Sequence, residues 1–291
     1  MPHKPMTIRE FFKKYHSDAL CLQHIFDVRF GQDYECPKCE KETKWHPLKN
    51  VRAFSCQKCG HHLHPTVGTP FERSRTPLQL WFFAIYLFTT TRNGVSAKEL
   101  QRQLGVTYKC AWRMGHEIRE HMGQVDGDEP LSGHVEIDEA YIGGKDDVVG
   151  RPGKDSNKTG ALGMVERNGK VMTKVIDDAK GSTLLPHIDE NVEKGSTIST
   201  DEYRAYKNLR DMGYTHGSVR HSMEQWVKGI HHTNTMEGYW AHLKNAISST
   251  HISVSKKHLQ KYLVEFEYRY NTRSNPERMF PQLISSFANP E

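Results

Sequence analysis

The sequence predicts a chain of several domains, in which a small metal-stabilised module and a helical region precede an α/β domain with a mixed sheet. Three observations lead to this prediction. Four cysteines are paired in two short motifs near the start, helical periodicity continues to about residue 122, and β-rich segments alternate with helices from His134 onward. A chain of 291 residues can form one large domain and one or two small ones. We expect domains at residues 1–65, 66–125 and 126–291.

The first domain is predicted to hold helices and a zinc ribbon. The segment from Thr7 to Glu10 has the form of a capping box, and apolar residues recur at helical spacing up to residue 30. The cysteines that follow are Cys36, Cys39, Cys56 and Cys59, with 16 residues between the two pairs. This spacing is typical of a site for one structural Zn²⁺, because four thiolates leave no open position on the metal. Disulfides are the alternative, which fits poorly with the lack of an export signal.

Residues 66–125 predict a helix-turn-helix. A linker rich in Pro, Gly, Ser and Thr leads into an apolar helix. A helix over Lys98–Leu104, a turn at Gly105 and a helix capped by Thr107 then follow. The residues placed to read DNA are Tyr108, Lys109, Trp112 and Arg113. An ordinary αα-hairpin with glycine in its turn is the alternative.

The charge of the chain is uneven. Residues 1–120 hold 19 Lys/Arg against 11 Asp/Glu, or +8, which leaves 21 against 24, or −3, for residues 121–291. A basic first part is expected if it meets a phosphate backbone, although a solvated surface with a local lysine excess gives the same count. The long apolar run Leu78–Phe88 has 11 residues, where a membrane helix needs ~20. We therefore expect no membrane segment and a soluble, cytoplasmic protein.

The remaining chain has the pattern of an α/β domain. Alternating β-formers cover His134–Ile142, and two further strands are joined by Asn168-Gly169, a strong hairpin signal. A helix comes next, then a fourth strand over Thr197–Thr200, a helix over Glu202–Met212, a short fifth strand near Ser218–Arg220 and a last helix. This order is typical of an RNase H-like domain, in which parallel and antiparallel strands mix and helices cover both faces of the sheet.

Three acidic residues in this domain form a candidate site. Asp138 lies in the first strand and Asp201 ends the fourth, and these strands are neighbours in the expected topology. Glu237 begins the last helix, and Lys244, seven residues later, lies within about 20° of the same helix face. Carboxylates that converge in this way can hold two divalent ions for phosphoryl transfer. The sequence therefore predicts a site for Mg²⁺ or Mn²⁺.

Nearby polar residues have plainer interpretations. Glu136 and Glu139 flank Asp138, and we expect both to point to the opposite face of the strand. His232 or Asn234 can cap the last helix, as an alternative to a direct role at the metal or the phosphate. Because acids near strand ends are common, spacing alone does not establish the site.

Seven motifs spread over nearly the whole chain point to one family. They are TIREFF, CPKC, CQKCG, EIDEAYIGGK, STDEYRAY, HHTNTMEGYWAHLK and HLQKYLVEFEYRYNTR. In content and order they resemble bacterial insertion-sequence transposases of the ISXO2-like group, which is related to the eukaryotic Merlin elements.

The resemblance implies a DDE-type transposase that cleaves DNA at the terminal inverted repeats of an element and joins the freed 3′-hydroxyls to target DNA. It makes Asp138 and Asp201 the first two acids of the site. The family often has Asn, followed by Lys, at the third position, and this chain has both Asn234 and Glu237 there. We favour Glu237, because ten steps from Asn234 to Lys244 leave an offset of about 80° on a helix. The family also implies a bacterial homo-oligomer on paired DNA ends.

Two other classes of function fit parts of the sequence. A regulator with a zinc ribbon and a helix-turn-helix, without catalysis, explains the first 120 residues and leaves the acids unexplained. An RNase H-like nuclease that cuts DNA without joining it uses the same metal site.

Overall fold

The structure, a computed structural model, describes residues 4–31, 33–127, 129–143, 158–220, 223 and 226–289. The helices are α1 (Ile8–Lys14), α2 (Asp18–Phe30), α3 (Leu78–Thr90), α4 (Ala97–Leu104), α5 (Tyr108–Asp126), α6 (Gly181–Asn191), α7 (Asn234–Ala246), α8 (Lys256–Asn271) and α9 (Met279–Ala288). The strands are β1 (Trp45–Pro47), β2 (Phe54–Cys56), β3 (His62–Leu63), β4 (His134–Ile142), β5 (Thr159–Glu166), β6 (Val171–Ile176), β7 (Thr197–Thr200) and β8 (Thr215–Ser218). Within the described ranges, no helix has the length and apolar character needed to cross a membrane.

The chain divides into two compact units. The first consists of Met1–Val125 and Ser274–Glu291, and the second of Asp126–Arg273. The sequence predicted that the third domain extends to residue 291. In the structure its last segment, Ser274–Glu291, belongs to the first unit. The reason is aromatic packing: the ring centroid of Phe280 lies 5.6 Å from that of Tyr15, and Phe287 stacks on Phe71 at 5.4 Å. Helix α9 thus completes the aromatic core of the first unit.

Helices of the first unit begin and end where local sequence signals place them. At the start of α1, Thr7 Oγ1 accepts a hydrogen bond from Glu10 N at 3.3 Å, and the Glu10 carboxylate accepts one from Thr7 N at 2.7 Å. Ser96 Oγ caps α4, which ends at Gly105 with φ +64°, a left-handed conformation that suits glycine. Helix α5 starts at the predicted residue and continues to Asp126, past the predicted end near residue 122.

The second unit is built on a mixed five-stranded sheet with the order β6-β5-β4-β7-β8. Strands β4, β5 and β6 are antiparallel neighbours, whereas β7 is parallel to both β4 and β8. This is the mixed α/β sheet that the sequence predicted. The fifth strand lies at Thr215–Ser218, slightly before its predicted position. The predicted helix over Glu202–Met212 is a shorter 3₁₀ helix, Arg204–Leu209, because the Asp201 carboxylate accepts a hydrogen bond from Tyr203 N and holds a turn there.

Helices cover both faces of this sheet. Helix α6 and the 3₁₀ helix pack on one face, where Val135 and Ile137 of β4 are buried. Helices α7 and α8 pack on the other face, against Ala140 and Ile142. Because successive residues of a strand face opposite sides, even-numbered residues of β4 belong to the face that α7 covers. Asp138 is therefore on the α7 side.

Helix α8 also closes the outer edge of the sheet. The backbone N–H groups of Val171, Thr173 and Val175 in β6 each donate to a side chain of α8. The acceptors are Asn271 at 2.7 Å, Glu267 at 3.1 Å and Gln260 at 2.8 Å. The edge strand thus has its outward donors satisfied by one helix face.

Candidate active site

The parallel pairing of β4 with β7 brings the first two predicted acids to the same level of the sheet. Glu136 pairs with Ser199, and continuing this register by two residues places Asp138 opposite Asp201. Asp201 directly follows the last residue of β7 and is partly exposed. The two residues therefore lie at the same end of the parallel strand pair.

Negative charge concentrates around Asp138. Burial, followed by the charges of Glu139, Asp201 and Glu237, raises the pKa of Asp138 to about 7. The structure thus brings Asp201 and Glu237 within electrostatic range of Asp138. A carboxyl group whose ionised form is disfavoured in this way is stabilised by a bound cation, so the donor set fits a divalent metal ion.

Helix α7 carries both candidates for the third position. Asn234 is its first residue and Glu237 lies in its first turn, and both side chains are exposed. Glu237 accepts a hydrogen bond from Thr233 Oγ1 at 2.8 Å. Lys244, on the last turn, is also exposed and lines a cavity of about 450 Å³ with Tyr141, Ile142, Gly143, Ile247, Ser248, Ile252 and Ser253. Asn234 and Glu237 are therefore both candidates for a role beside the two aspartates.

A glycine allows α7 to lie close to the sheet beside Asp138. Gly163 of β5 is the register partner of Asp138. A Cβ at this position would clash with Met236 and Trp240 of α7. The absence of a side chain at residue 163 thus lets the helix that carries Glu237 approach the strand that carries Asp138.

The acids are more widely spaced than the cysteines. In the part of the chain that the structure describes, one group of at least three His, Cys, Asp or Glu residues has its ligand atoms within 4.8 Å of one another, and it consists of Cys36, Cys39, Cys56 and Cys59. The carboxylates interact through their charges and do not converge to this degree.

The four cysteines lie at two equivalent turns. Glu40 N donates to Cys36 O at 2.8 Å, and Gly60 N donates to Cys56 O at 3.0 Å. The sulfur atoms of Cys36 and Cys59 are 3.6 Å apart, and those of Cys39 and Cys56 are 4.0 Å apart. Tetrahedral zinc with Zn–S bonds of about 2.3 Å requires sulfurs about 3.8 Å apart. The donor set and its spacing therefore fit a closed zinc site.

The predicted DNA-reading residues share one exposed surface of α5. Tyr108, Lys109, Trp112 and Arg113 are all exposed. Lys98 of α4 lies 5.0 Å from the ring centroid of Tyr108, in a cation–π contact. The helix presents aromatic and basic groups together to solvent.

We expected Glu136 and Glu139 to point to the opposite face of β4 from Asp138. This is wrong for Glu136, whereas Glu139 does face away from α7. Glu136 is two residues from Asp138 and shares its face of β4, as the period of a strand requires. Its carboxylate is fully buried and accepts hydrogen bonds from Thr235 N and Met236 N. Glu136 therefore caps α7 from another element, a role for which the sequence offers His232 or Asn234.

Sequence reasoning also missed Tyr206 and Arg167. Burial and then the charge of Glu139 raise the pKa of Tyr206 well above its ordinary value, so a neutral phenol lies beside the acids. Arg167 forms an ion pair with Glu136 at 2.7 Å. Strand periodicity could have indicated Glu136, but its partners lie 31 and 99 residues away.

Two regions of the chain match family models of known proteins. Residues 130–271 match the family model of the ISXO2-like transposase domain, and residues 16–62 match that of a transposase zinc-ribbon domain. A protein in transposable element ISH50 of Halobacterium salinarum is 27% identical over 285 residues, which cover 91% of this chain and 94% of the relative. A transposase-like protein of Haemophilus influenzae is 31% identical over 102 residues, covering 35% of this chain and 81% of the relative.

Solved structures of Mos1 transposase are distantly similar. A pre-cleavage Mos1 transpososome has 12% identity and a TM-score of 0.29, over 72% of this chain and 79% of the other. A mariner Mos1 paired-end complex with Mg has 12% identity and a TM-score of 0.29, over 76% and 81%. The sequence matches are stronger. The transposase-domain model covers the whole mixed sheet, and the zinc-ribbon model covers the four cysteines. Together with the relative from Haemophilus influenzae, these matches show that this chain belongs to the family of ISXO2-like transposases.

Proposed function

We propose that this insertion-sequence transposase binds the terminal inverted repeats of its element, cleaves DNA at the element ends and joins the 3′-hydroxyl ends to target DNA. The observation that carries this proposal is the parallel pairing of β4 with β7, whose register, continued by two residues, would put Asp138 level with Asp201. Both residues lie inside the matched transposase domain.

Asp138, Asp201 and Glu237 would hold the catalytic ions, Mg²⁺ or Mn²⁺ and two in number. Such ions activate the attacking oxygen and stabilise the leaving oxygen when bound. The raised pKa of Asp138 supports this assignment, because its carboxyl lies in a negative environment that a cation relieves. The protein's own contribution is to hold these carboxylates on two adjacent strands and one helix.

Lys244 would contact the phosphate backbone near the acids. It is exposed and lies on the same helix as Glu237, seven residues further on. A lysine at this distance returns to within about 20° of the same helix face. Asn234 is the alternative to Glu237 as third active-site residue, because it is exposed in the same turn.

DNA-end recognition would involve the helix-turn-helix and the zinc ribbon. The exposed residues of α5, Tyr108, Lys109, Trp112 and Arg113, would contact DNA, and one Zn²⁺ on the four cysteines would hold the ribbon folded. We further propose that the protein acts in the cytoplasm as a homo-oligomer on paired ends.

Cleavage and joining on the element's own ends test the proposal. With Mg²⁺ or Mn²⁺, the wild-type protein should cut labelled terminal repeats and join them to a target plasmid. Products that remain as free cut ends, with none joined, would instead indicate a nuclease without strand transfer. Protein that binds the ends without cutting them would indicate a regulator.

A further inference from the structure

We propose that Glu136 is a positioning residue of the active site, which anchors the N-terminus of α7 to β4 and thereby sets where Asn234 and Glu237 lie relative to Asp138. This inference rests on the proposed function and deepens it. It assigns a role to a buried carboxylate that does not itself hold metal.

The carboxylate of Glu136 takes over the capping of α7. It is fully buried, with 0% of its surface exposed. Oε2 accepts from Thr235 N at 2.7 Å and Met236 N at 3.2 Å, and Oε1 accepts from Thr235 Oγ1 at 2.9 Å. The N-cap residue, Thr233, makes no side-chain capping hydrogen bond. A negative charge at this end of a helix meets unpaired N–H groups and the positive end of the helix dipole.

Arg167 ties the segment before α7 to the same carboxylate. Its Nε donates to Glu136 Oε1 at 2.7 Å. The other guanidinium nitrogens donate to the carbonyl oxygens of Ile230, at 2.7 Å, and His232, at 3.3 Å. His232 Nδ1 lies 3.1 Å from the same carboxylate oxygen. The approach to α7 and its first turn are thus held by one ion pair.

These contacts separate Glu136 from the metal-binding acids. Both of its oxygens already accept hydrogen bonds from the protein, so they are not available to an ion. Glu136 and Asp138 are two residues apart on β4, a distance of about 6.6 Å along a strand. Thr235 and Met236 lie between Asn234 and Glu237. One rigid strand therefore carries an acid of the site and the anchor for the helix that supplies another.

Glu136→Gln tests this role with little change in side-chain volume. The amide keeps one acceptor and presents a donor to groups that are themselves donors, so we expect α7 to shift while the fold persists. Displacements of about 1 Å can lower catalysis about 100-fold, and we expect a loss of that order in cleavage. We also expect Mn²⁺ binding, measured by calorimetry on the protein without DNA, to weaken about 10-fold or more, since ligand geometry is disturbed. Binding of the element ends should be unchanged.

A matched control and a second variant keep the test decisive. Glu129→Gln removes a surface carboxylate, paired with Lys170 at 2.8 Å, and should leave all three measurements as in wild type. If Glu136→Gln does not fold, Arg167→Lys keeps the positive charge and loses the guanidinium contacts with Ile230 and His232, and we expect a smaller loss of Mn²⁺ affinity, about threefold to tenfold.

The inference is overturned if a folded variant binds Mn²⁺ and cleaves DNA within about twofold of wild type, the usual range of a neutral surface substitution. Asp138→Asn, measured in parallel, separates this outcome from failure of the proposed function. If Asp138→Asn also binds Mn²⁺ and cleaves as wild type does, the assigned active site is wrong. If it loses both while Glu136→Gln loses neither, only the positioning role is wrong.

Discussion

The zinc ribbon and the acidic site are both predicted metal sites, and they differ in how their ligands are held. The ribbon draws its four ligands from two equivalent turns of one small module, and their sulfur atoms already lie 3.6 to 4.0 Å apart in the pairs described. The acidic site would draw its proposed ligands from β4, the end of β7 and α7. A closed site suits a metal that only stabilises the fold, whereas an open one leaves positions for water and phosphate.

The largest effect is expected from a substitution that disrupts the acidic site and leaves the zinc ribbon intact. Asp138→Asn removes a charge from the acid at the centre of the site, and we expect cleavage to fall by at least about 10³-fold, equivalent to roughly 4 kcal/mol in activation free energy. Zinc content and DNA-end binding should match wild type. Cleavage that persists in Mg²⁺ would show that the acids do not carry the reaction.

The converse substitution removes one of the four cysteines from the zinc ribbon and leaves the acidic site intact. In Cys36→Ser we expect the loss of bound zinc, measured by metal analysis, and weaker DNA-end binding, because structural zinc contributes about 10–16 kcal/mol of binding free energy to small domains of this kind. Cys110→Ser, outside the ribbon, is the control and should retain zinc. A wild-type protein purified without zinc would contradict the assignment.

The two candidates for the third position of the acidic site can be compared directly. Glu237→Gln and Asn234→Ala remove the two candidates for the third position, and we expect about a 100-fold loss of cleavage for the first and less than about tenfold for the second. The measurement is the cleavage rate at saturating Mg²⁺. The reverse ranking would make Asn234 the third active-site residue.

Packing beside the open site should be sensitive to a single methyl group. Gly163→Ala places a Cβ against Met236 and Trp240, and we expect the free energy of unfolding to fall by about 1–3 kcal/mol in denaturant titration. Gly238→Ala on α7 meets no atom within 4 Å and should stabilise by roughly 0.5–1 kcal/mol. Equal effects would argue against close packing of α7 on β5.

Acid should destabilise the first unit. Burial lowers the pKa of His121, which stacks on Phe287, to about 4. The neutral form is the one that the fold favours, so its contribution is present above the ordinary pKa of about 6.5 and is lost as the pH falls from there to about 4. Allowing for solvent screening, the loss is about 1–2 kcal/mol. His121→Phe should reduce this pH dependence relative to wild type in thermal unfolding.

Local sequence signals predicted most helices and strands. Contacts between residues far apart in the chain determine how α7 is capped and where α9 packs. Alternation found β4, and its neighbour β7 followed from the strand order, so Asp138 and Asp201 could be placed together from the sequence. The capping of α7 could not be predicted from the sequence, because Glu136 and Thr235 are 99 residues apart in the chain. The docking of α9 in the first unit likewise depends on Phe280 and Phe287 meeting rings far away in the chain. Asn234 and Glu237 lie in one helical turn, so sequence position cannot choose between them.

The covering of β6 by α8 has a consequence for self-association. A second copy of this chain cannot extend the sheet at that side, since the N–H groups of Val171, Thr173 and Val175 already have acceptors. Edge-to-edge aggregation through this strand is blocked for the same reason. If two copies hold a pair of DNA ends, as we propose, they would meet through other surfaces. Variants of Gln260 or Asn271 that free the N–H groups of β6 would promote aggregation without helping that assembly.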